Sequence, residues 1–390
     1  MKGLPRLLLD RWNKYFILVA IILLASLLCG RAQVPQIKID EQKTAQLVAM
    51  MHRNQPKHIS ILHLGDSHLQ AGVLPQAIRD LLNQRYPNSS MGLTVPYELS
   101  RTNGPRNIRI ESSVTWIVQK LQFAKQPTFV GVSGMILSRK DNRPYTFTLS
   151  SKGRPFDRVI LFRTPQTPSL VSTIGHAFLS KGSQTIGNFI ADTLTFSSPQ
   201  TRVYLRNEEM PTEGASYGGF LLSNQKETVQ YHAIGYNGAM YATFAHEGFI
   251  QQTKWLHPDW IVLSLGTNEA QARSVSQEVF QRQVTYTLRL LRKQNPKAKI
   301  LLTTPPPSFR RNRLYNDQVE VVADLLRNIA QREQLAFFDL YEALGCKEGA
   351  SIRREEGDYY AYDGIHFTPN GYTHQGRLIG QAILGFIETH

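Results

Sequence analysis

Apolar residues follow three different patterns along this chain. The first is continuous. Residues 58–67 (HISILHLGDS), 260–266 (WIVLSLG), 299–304 (KILLTT) and 335–340 (LAFFDL) hold apolar runs with few polar interruptions, and glycine or another turn residue closes most of them. Strands covered by helices on both faces read this way, which points to a parallel sheet. The second pattern is a three- and four-residue spacing over 73–86, 276–294, 315–334 and 369–387, which predicts amphipathic helices; a further helix is expected over about 44–53. Strands alternating with helices predict a doubly wound α/β sheet, with ligands beyond the carboxyl ends of its strands.

The third pattern occupies residues 101–230. Short runs such as Phe147-Thr148-Leu149, RVILFR (158–163) and RVYLR (202–206) alternate with Gly, Pro, Ser and Thr, and no long amphipathic period appears. An inserted β-rich domain is expected there, which makes the α/β domain discontinuous, over 40–100 and 231–390. There is no internal repeat and no low-complexity tract.

The N-terminus changes how the charge is read. The 390 residues include 44 Lys and Arg against 30 Asp and Glu, a formal net charge of +14 that raises the question of a polyanionic partner. Residues 16–29 (FILVAIILLASLLC) form an apolar run of about 14 residues, shorter than the ~20 of a membrane-spanning helix. Lys2, Arg6, Arg11 and Lys14 precede it and Gly30-Arg31-Ala32 follows, so 1–32 reads as a signal peptide cleaved near Gln33, with an uncleaved inner-membrane anchor as the alternative. Beyond residue 32 the chain holds 39 basic and 29 acidic residues, so the surplus falls to +10. The basic bias is thus partly targeting. Two cysteines, Cys29 and Cys346, exclude a disulfide framework and a cysteine-rich metal cluster.

Three separated segments carry candidate chemistry. Gly65-Asp66-Ser67-His68 places a serine hydroxyl directly after a buried strand and before a helix, where a developing negative charge is favoured. Gly266-Thr267-Asn268-Glu269 ends another strand with a side-chain amide that can face a reacting oxygen. Asp363-Gly364-Ile365-His366 sets a carboxylate three residues from an imidazole, and Thr368 and Pro369 look like the cap and first residue of the closing helix. Each fragment alone is commonly a turn or a surface pair. Their joint occurrence at strand-to-helix edges is what carries weight.

With these blocks the chain resembles the SGNH (GDSL-like) hydrolase superfamily, a flavodoxin-like three-layer α/β/α fold. The resemblance implies Ser67 as nucleophile, His366 as general base and then acid, and Asp363 as the group that orients the imidazole. It implies an oxyanion hole of the Ser67 N–H, the Asn268 amide and a glycine N–H. Gly238, in IGYNGA (234–239), lies 30 residues before Asn268 and is preferred; Gly134, in GVSGM (131–135), is the rival. His68 stands where leucine is common and Glu269 where aspartate often follows the asparagine. The GDSH, GYNGA and GTNEA variants together with the insertion resemble the peptidoglycan O-acetylesterase branch, in which a β-sandwich similar to a carbohydrate-binding module interrupts the hydrolase. That branch implies an esterase acting on an acetylated glycan, which with the N-terminal segment is expected in the periplasm or cell envelope; no motif suggests a metal, a cofactor or nucleic acid, and a monomer is expected. Peripheral or N-terminal membrane association remains an alternative. So do action on acetylated sialic acid or xylan, a lipase or thioesterase, an O-acetyltransferase and a non-catalytic glycan-binding protein.

Other signals carry less. Gly214-Ala215-Ser216-Tyr217-Gly218 matches a nucleophile-elbow pattern, but Glu208, Glu209, Pro211 and Glu213 precede it where a buried strand is required, so a loop is expected. His58, His63 and His68 recur every five residues, a period of neither one helical nor one strand face, and are read as structural. Trp116, Tyr145, Phe147, Tyr204 and Tyr217 fit a β-domain core better than a sugar platform. TTPPPS (303–308) fits a rigid site mouth or a strand terminator, and Arg310, Arg311 and Arg313 fit an anionic substrate or a solvated loop. No phosphate-binding or dinucleotide fingerprint appears.

Overall fold

The computed structural model describes residues 58–125, 129–172, 178–207, 214–310 and 314–389. The apolar run at 16–29, the helix expected over 44–53, Cys29, Glu208, Glu209, Pro211, Glu213, Arg311 and Arg313 lie outside them. Among the described residues no helix is long and apolar enough to cross a membrane.

One sheet is wholly parallel. Its strands are β1 (Ile59–Gly65), β2 (Val229–Gly235), β3 (Trp260–Ser264), β4 (Lys299–Thr303) and β5 (Ala336–Phe338), in the spatial order β2-β1-β3-β4-β5. This 2-1-3-4-5 order is that of flavodoxin-like sheets, whose switch point between β1 and β3 opens a crevice at the carboxyl edge. Ser67 follows β1 and Asn268 follows β3, so both blocks arrive at that crevice. Helices α1 (Ser67–Gln70), α2 (Val73–Arg85), α3 (Gln277–Gln294), α4 (Gln318–Arg332) and α5 (Pro369–Thr389) complete the frame.

Strand alternation decides which layer each β1 residue meets. Leu62 and Leu64 join Val284 and Leu288 of α3 and Val322 and Leu326 of α4 in one buried cluster. Ile59 and Ile61 join Ile78 and Leu82 of α2 and Ile379 and Ile383 of α5 in another. The result is a three-layer α/β/α arrangement, and both faces of the sheet must be apolar to sustain it.

Between β1 and β2 the chain builds two antiparallel sheets. One contains Ile117–Lys120, Met135–Arg139, Ala215–Ser223, Phe156–Arg163, Phe189–Gln200 and Phe178–Ile186, with Gly92–Thr94 added beside Ala215–Ser223. The other contains Ile108–Ser112, Thr146–Ser151, Arg202–Asn207 and Leu170–Ser172. Period-two burial in Thr146–Ser151 sends Phe147 and Leu149 inward to meet Val159 and Leu161, so the pair is a β-sandwich. Trp116, Tyr145, Phe147 and Tyr217 are buried in that core, with Trp116 stacked on Phe147 at 5.1 Å. They are core residues rather than a sugar platform. On its opposite face the larger sheet presents Phe162, Phe189 and Leu221 to the cluster that holds Tyr236 and Phe244, which fastens the sandwich to the α/β layer.

One expectation fails. Gly214–Gly218 is not a loop: Ala215–Ser223 is a buried strand, and Ser216 is held in its sheet by its N–H to Thr167 Oγ1 (2.7 Å) and by Ser138 Oγ (3.1 Å). The polar residues before it hid a strand whose later residues, Phe220 to Leu222, are apolar and fully paired. The serine is structural in either case.

Candidate active site

The turn after β1 is set by Asp66. Its Oδ1 accepts from the His68 N–H at 3.0 Å and its carbonyl accepts from Leu69 and Gln70, which closes the single helical turn α1. Ser67 therefore stands half-buried at the sheet edge, and among the described residues its N–H has no hydrogen-bond partner.

The loop before α5 brings the other two groups. Thr368 Oγ1 accepts from the Gly371 N–H at 3.2 Å, capping α5 as its Thr-Pro start predicts. The Ala361 N–H donates to the His366 carbonyl, and Asp363 Oδ1 accepts from the N–H groups of Ile365 and His366, both at 2.9 Å. Asp363 Oδ2 lies 2.6 Å from His366 Nδ1, and His366 Nε2 lies 2.9 Å from Ser67 Oγ. A carboxylate only accepts, so the imidazole proton sits on Nδ1 and the Nε2 lone pair faces the hydroxyl. Partial burial works to raise the Asp363 pKa, yet its bonds from the His366 ring and from the two N–H groups outweigh this and hold it below the ordinary carboxylate range. The relay can draw a proton from Ser67 and place the resulting charge beside a carboxylate.

Asn268 stands half-buried beyond β3. Its Nδ2 donates to the Ala239 carbonyl at 2.9 Å, which uses one amide hydrogen and leaves the second. Gly238 lies one residue earlier, exposed, at φ +75°, a conformation that favours glycine; no partner for its N–H occurs among the described residues. Gly134 is placed differently. Its N–H donates to the Gly131 carbonyl, and a Cβ there would lie 2.6 Å from the Tyr236 hydroxyl, inside the contact between the sandwich and the α/β layer.

Behind Ser67 lies a cavity of about 20 Å³, lined by Asp66, His68, Thr267, Thr304, Pro305 and Gln375. The proline run thus borders this internal space rather than an open mouth. Arg310 is tied to the carbonyls of Ala270 and Ala272, bracing the Asn268 turn. Of the three spaced histidines, His58 pairs with Glu227 at 3.7 Å and His63 bonds Tyr231 and Ser264 inside the sheet. Only His68 reaches the site.

Sequence alone did not single out Gln70, Glu269 for a contact role, Tyr372 or Gln375. Gln70 falls one helical turn after Ser67, the one hint available. The others meet the site only through tertiary packing.

The GDSL-like lipase/acylhydrolase family model matches residues 207–374, which include Asn268, Asp363 and His366 but not Ser67. No curated protein sequence matches the chain. Among solved structures, a peptidoglycan O-acetylesterase superposes with a TM-score of 0.70 at 19% identity, over 89% of this chain and 96% of that one. A lipase/acylhydrolase from Enterococcus faecalis (TM-score 0.32, 21% identity, 41% of this chain and 78% of that one) and the acetyl xylan esterase AlAXEase (0.33, 16%, 41% and 81%) overlap more narrowly. Residues 207–374 thus match the GDSL-like lipase/acylhydrolase family, and the chain as a whole shares the fold of a peptidoglycan O-acetylesterase, with the three blocks on one sheet edge.

Proposed function

We propose that this esterase is exported and removes O-acetyl groups from a cell-wall or extracellular glycan, peptidoglycan first. Ser67 Oγ attacks the acetyl carbonyl while His366 Nε2 takes its proton, and Asp363 stabilises the imidazolium. The carbonyl oxygen, now negative, is received by the N–H groups of Ser67 and Gly238 and by the free hydrogen of the Asn268 amide. The tetrahedral intermediate collapses when His366 returns the proton to the departing sugar oxygen, leaving acetyl-Ser67. Water, deprotonated by His366, then releases acetate and restores the serine.

The observation that carries the choice of a small acyl group on a large carrier is the openness of the relay. The His366 and Asp363 side chains are 41% and 44% exposed. The cavity behind Ser67, lined by Asp66 and His68 among others, has space for about one water. We assign the hydrolase unit to 40–100 and 231–390 and the sandwich to 101–230 as a glycan-side module, with Gly92–Thr94 also joining the sandwich and β2 of the hydrolase beginning at Val229, and with 1–32 as the export segment. The surplus of ten positive charges beyond residue 32 suits an anionic envelope surface.

Acetate release from O-acetylated peptidoglycan, acetylated xylan and acetylated sialic acid tests this directly, with Ser67→Ala as control. Peptidoglycan should be preferred and the variant should be inactive. Faster cleavage of long-chain p-nitrophenyl esters than of the acetate, or acetyl transfer to an added sugar in place of acetate release, would overturn the assignment.

A further inference from the structure

The loop that presents Gly238 carries two hydrogen bonds that the chemistry described so far does not use. On one side of Gly238, the Asn237 N–H donates to Gln70 Oε1 at 2.7 Å. On the other, the Tyr241 N–H donates to Glu269 Oε1 at 2.8 Å. Gln70 lies one turn after Ser67 on α1, and Glu269 follows Asn268, so each acceptor belongs to a block that supplies another oxyanion donor. Both side chains are buried, Gln70 at 2% exposure and Glu269 at 8%.

Gln70 is itself fixed at its other end. Its Nε2 donates to the Asn103 carbonyl at 2.7 Å and to Thr102 Oγ1 at 3.1 Å. The approach of α1 to the end of β2 is close enough that a Cβ on Gly235 would lie 2.4 Å from the Gln70 nitrogen. Between the two clamps, Asn268 Nδ2 holds the Ala239 carbonyl. The five-residue loop is therefore gripped at Asn237, Ala239 and Tyr241, and the Gly238 N–H is left unengaged among them.

From this arrangement we infer that Gln70 and Glu269 are positioning residues that hold the Gly238 peptide at a fixed place between Ser67 and Asn268, so that three oxyanion donors converge without reorganisation. The inference rests on the esterase assignment above. Oxyanion donors act by being aimed before the charge appears, and a loop free to turn would lose that advantage. Burial pushes the Glu269 carboxyl up to about 7, with Asp66 adding to the effect and the Tyr241 N–H opposing it. Its neutral acid form is thus close in shape and charge to glutamine.

The test uses the purified protein and p-nitrophenyl acetate. Gln70→Met and Glu269→Met keep the volume and remove the acceptor; each should lower kcat about 10- to 100-fold while KM changes less than about 3-fold, because the interaction matters in the transition state. Glu269→Gln restores an acceptor oxygen and should return kcat to within about 5-fold of the parent. Hydrogen exchange of the parent protein provides a second measurement should a variant not fold: the Asn237 and Tyr241 amides should be protected although Asn237 is at the surface. Unchanged kcat in folded methionine variants, a loss confined to KM, a Glu269→Gln protein as slow as Glu269→Met, or fast exchange at both amides would overturn the clamp. Failure of the esterase assignment has a different signature, namely no difference between the parent protein and Ser67→Ala.

Discussion

The rings of His68 and His366 lie 5.7 Å apart, and they stand in opposite environments. His68 is buried against Phe367 and Tyr372, and its Nδ1 is 3.2 Å from the Tyr372 hydroxyl. Burial lowers its pKa, which favours the uncharged ring. At that separation a second cation would oppose the imidazolium of the proposed mechanism by about 3 kcal/mol at an effective dielectric of about 20. A neutral His68 imposes no such cost. His68→Leu, which installs the residue common at this position in the family, should therefore leave kcat within about 3-fold and the acid limb of the kcat/KM profile in place. An acid limb that moved in the variant would mean that His68 carries charge.

Asp363 uses its two oxygens for different tasks, and an amide can satisfy only one of them. In Asp363→Asn the carbonyl oxygen is retained by the N–H groups of Ile365 and His366, which turns the NH₂ toward His366 Nδ1. The imidazole must then accept at Nδ1 and carry its proton on Nε2, where it cannot take one from Ser67. A fall in kcat of about 10³- to 10⁴-fold is expected, with folding preserved. Acetate release by the purified variant measures it, and a loss under tenfold would remove Asp363 from the relay.

Much of the frame was legible because it rests on one-dimensional physics. Strands β1, β3 and β4 read as apolar runs since helices cover both their faces, and α2 to α5 read from their spacing. Strand β2 was harder: Tyr231 and His232 look polar in VQYHAIG, yet both are fully buried, satisfied by His63, Ser60 and the Leu93 N–H. Ser67, Asp363 and His366 were legible as motifs, and the Asp363–His366 contact follows from their three-residue spacing in one loop. The grips on the Gly238 loop were not, because Gln70 meets Asn237 across 167 positions and no local pattern records such a contact.

The same buried histidines make stability depend on pH in a definite direction. His232 Nδ1 accepts from the Leu93 N–H, so Nε2 carries the proton toward Ser60 Oγ, whose own hydrogen goes to the Leu256 carbonyl. No place remains for a second proton on the ring. Burial lowers both His63 and His232 to about 3, far below the ordinary 6.5. As pH falls through 6.5 the unfolded chain binds protons at these rings and the folded one does not. Stability is thus complete above 6.5 and declines toward 3, by roughly 1.4 kcal/mol per pH unit for each ring once the unfolded state is protonated. Urea melts between pH 5 and 7.5 should show this slope, and His232→Asn should reduce it by one proton; an unchanged slope would contradict the assignment.

Substrate size is the last point the structure makes testable. The aromatic residues of the sandwich core are unavailable to sugars, but Tyr362, immediately before Asp363, is 90% exposed, and Phe123 is 78% exposed. Phe123 follows Gln122, whose amide reaches the Asn237 carbonyl beside Gly238, so both exposed aromatics are chain neighbours of residues at the site. Large apolar rings in water at a site edge suit stacking on pyranose faces, worth about 1 kcal/mol each, or roughly 5-fold in affinity. Tyr362→Ala and Phe123→Ala should each raise KM several-fold on O-acetylated peptidoglycan while leaving p-nitrophenyl acetate kinetics unchanged, since the small ester spans neither ring. Equal effects on both substrates would place these residues in the structure of the relay rather than on its glycan.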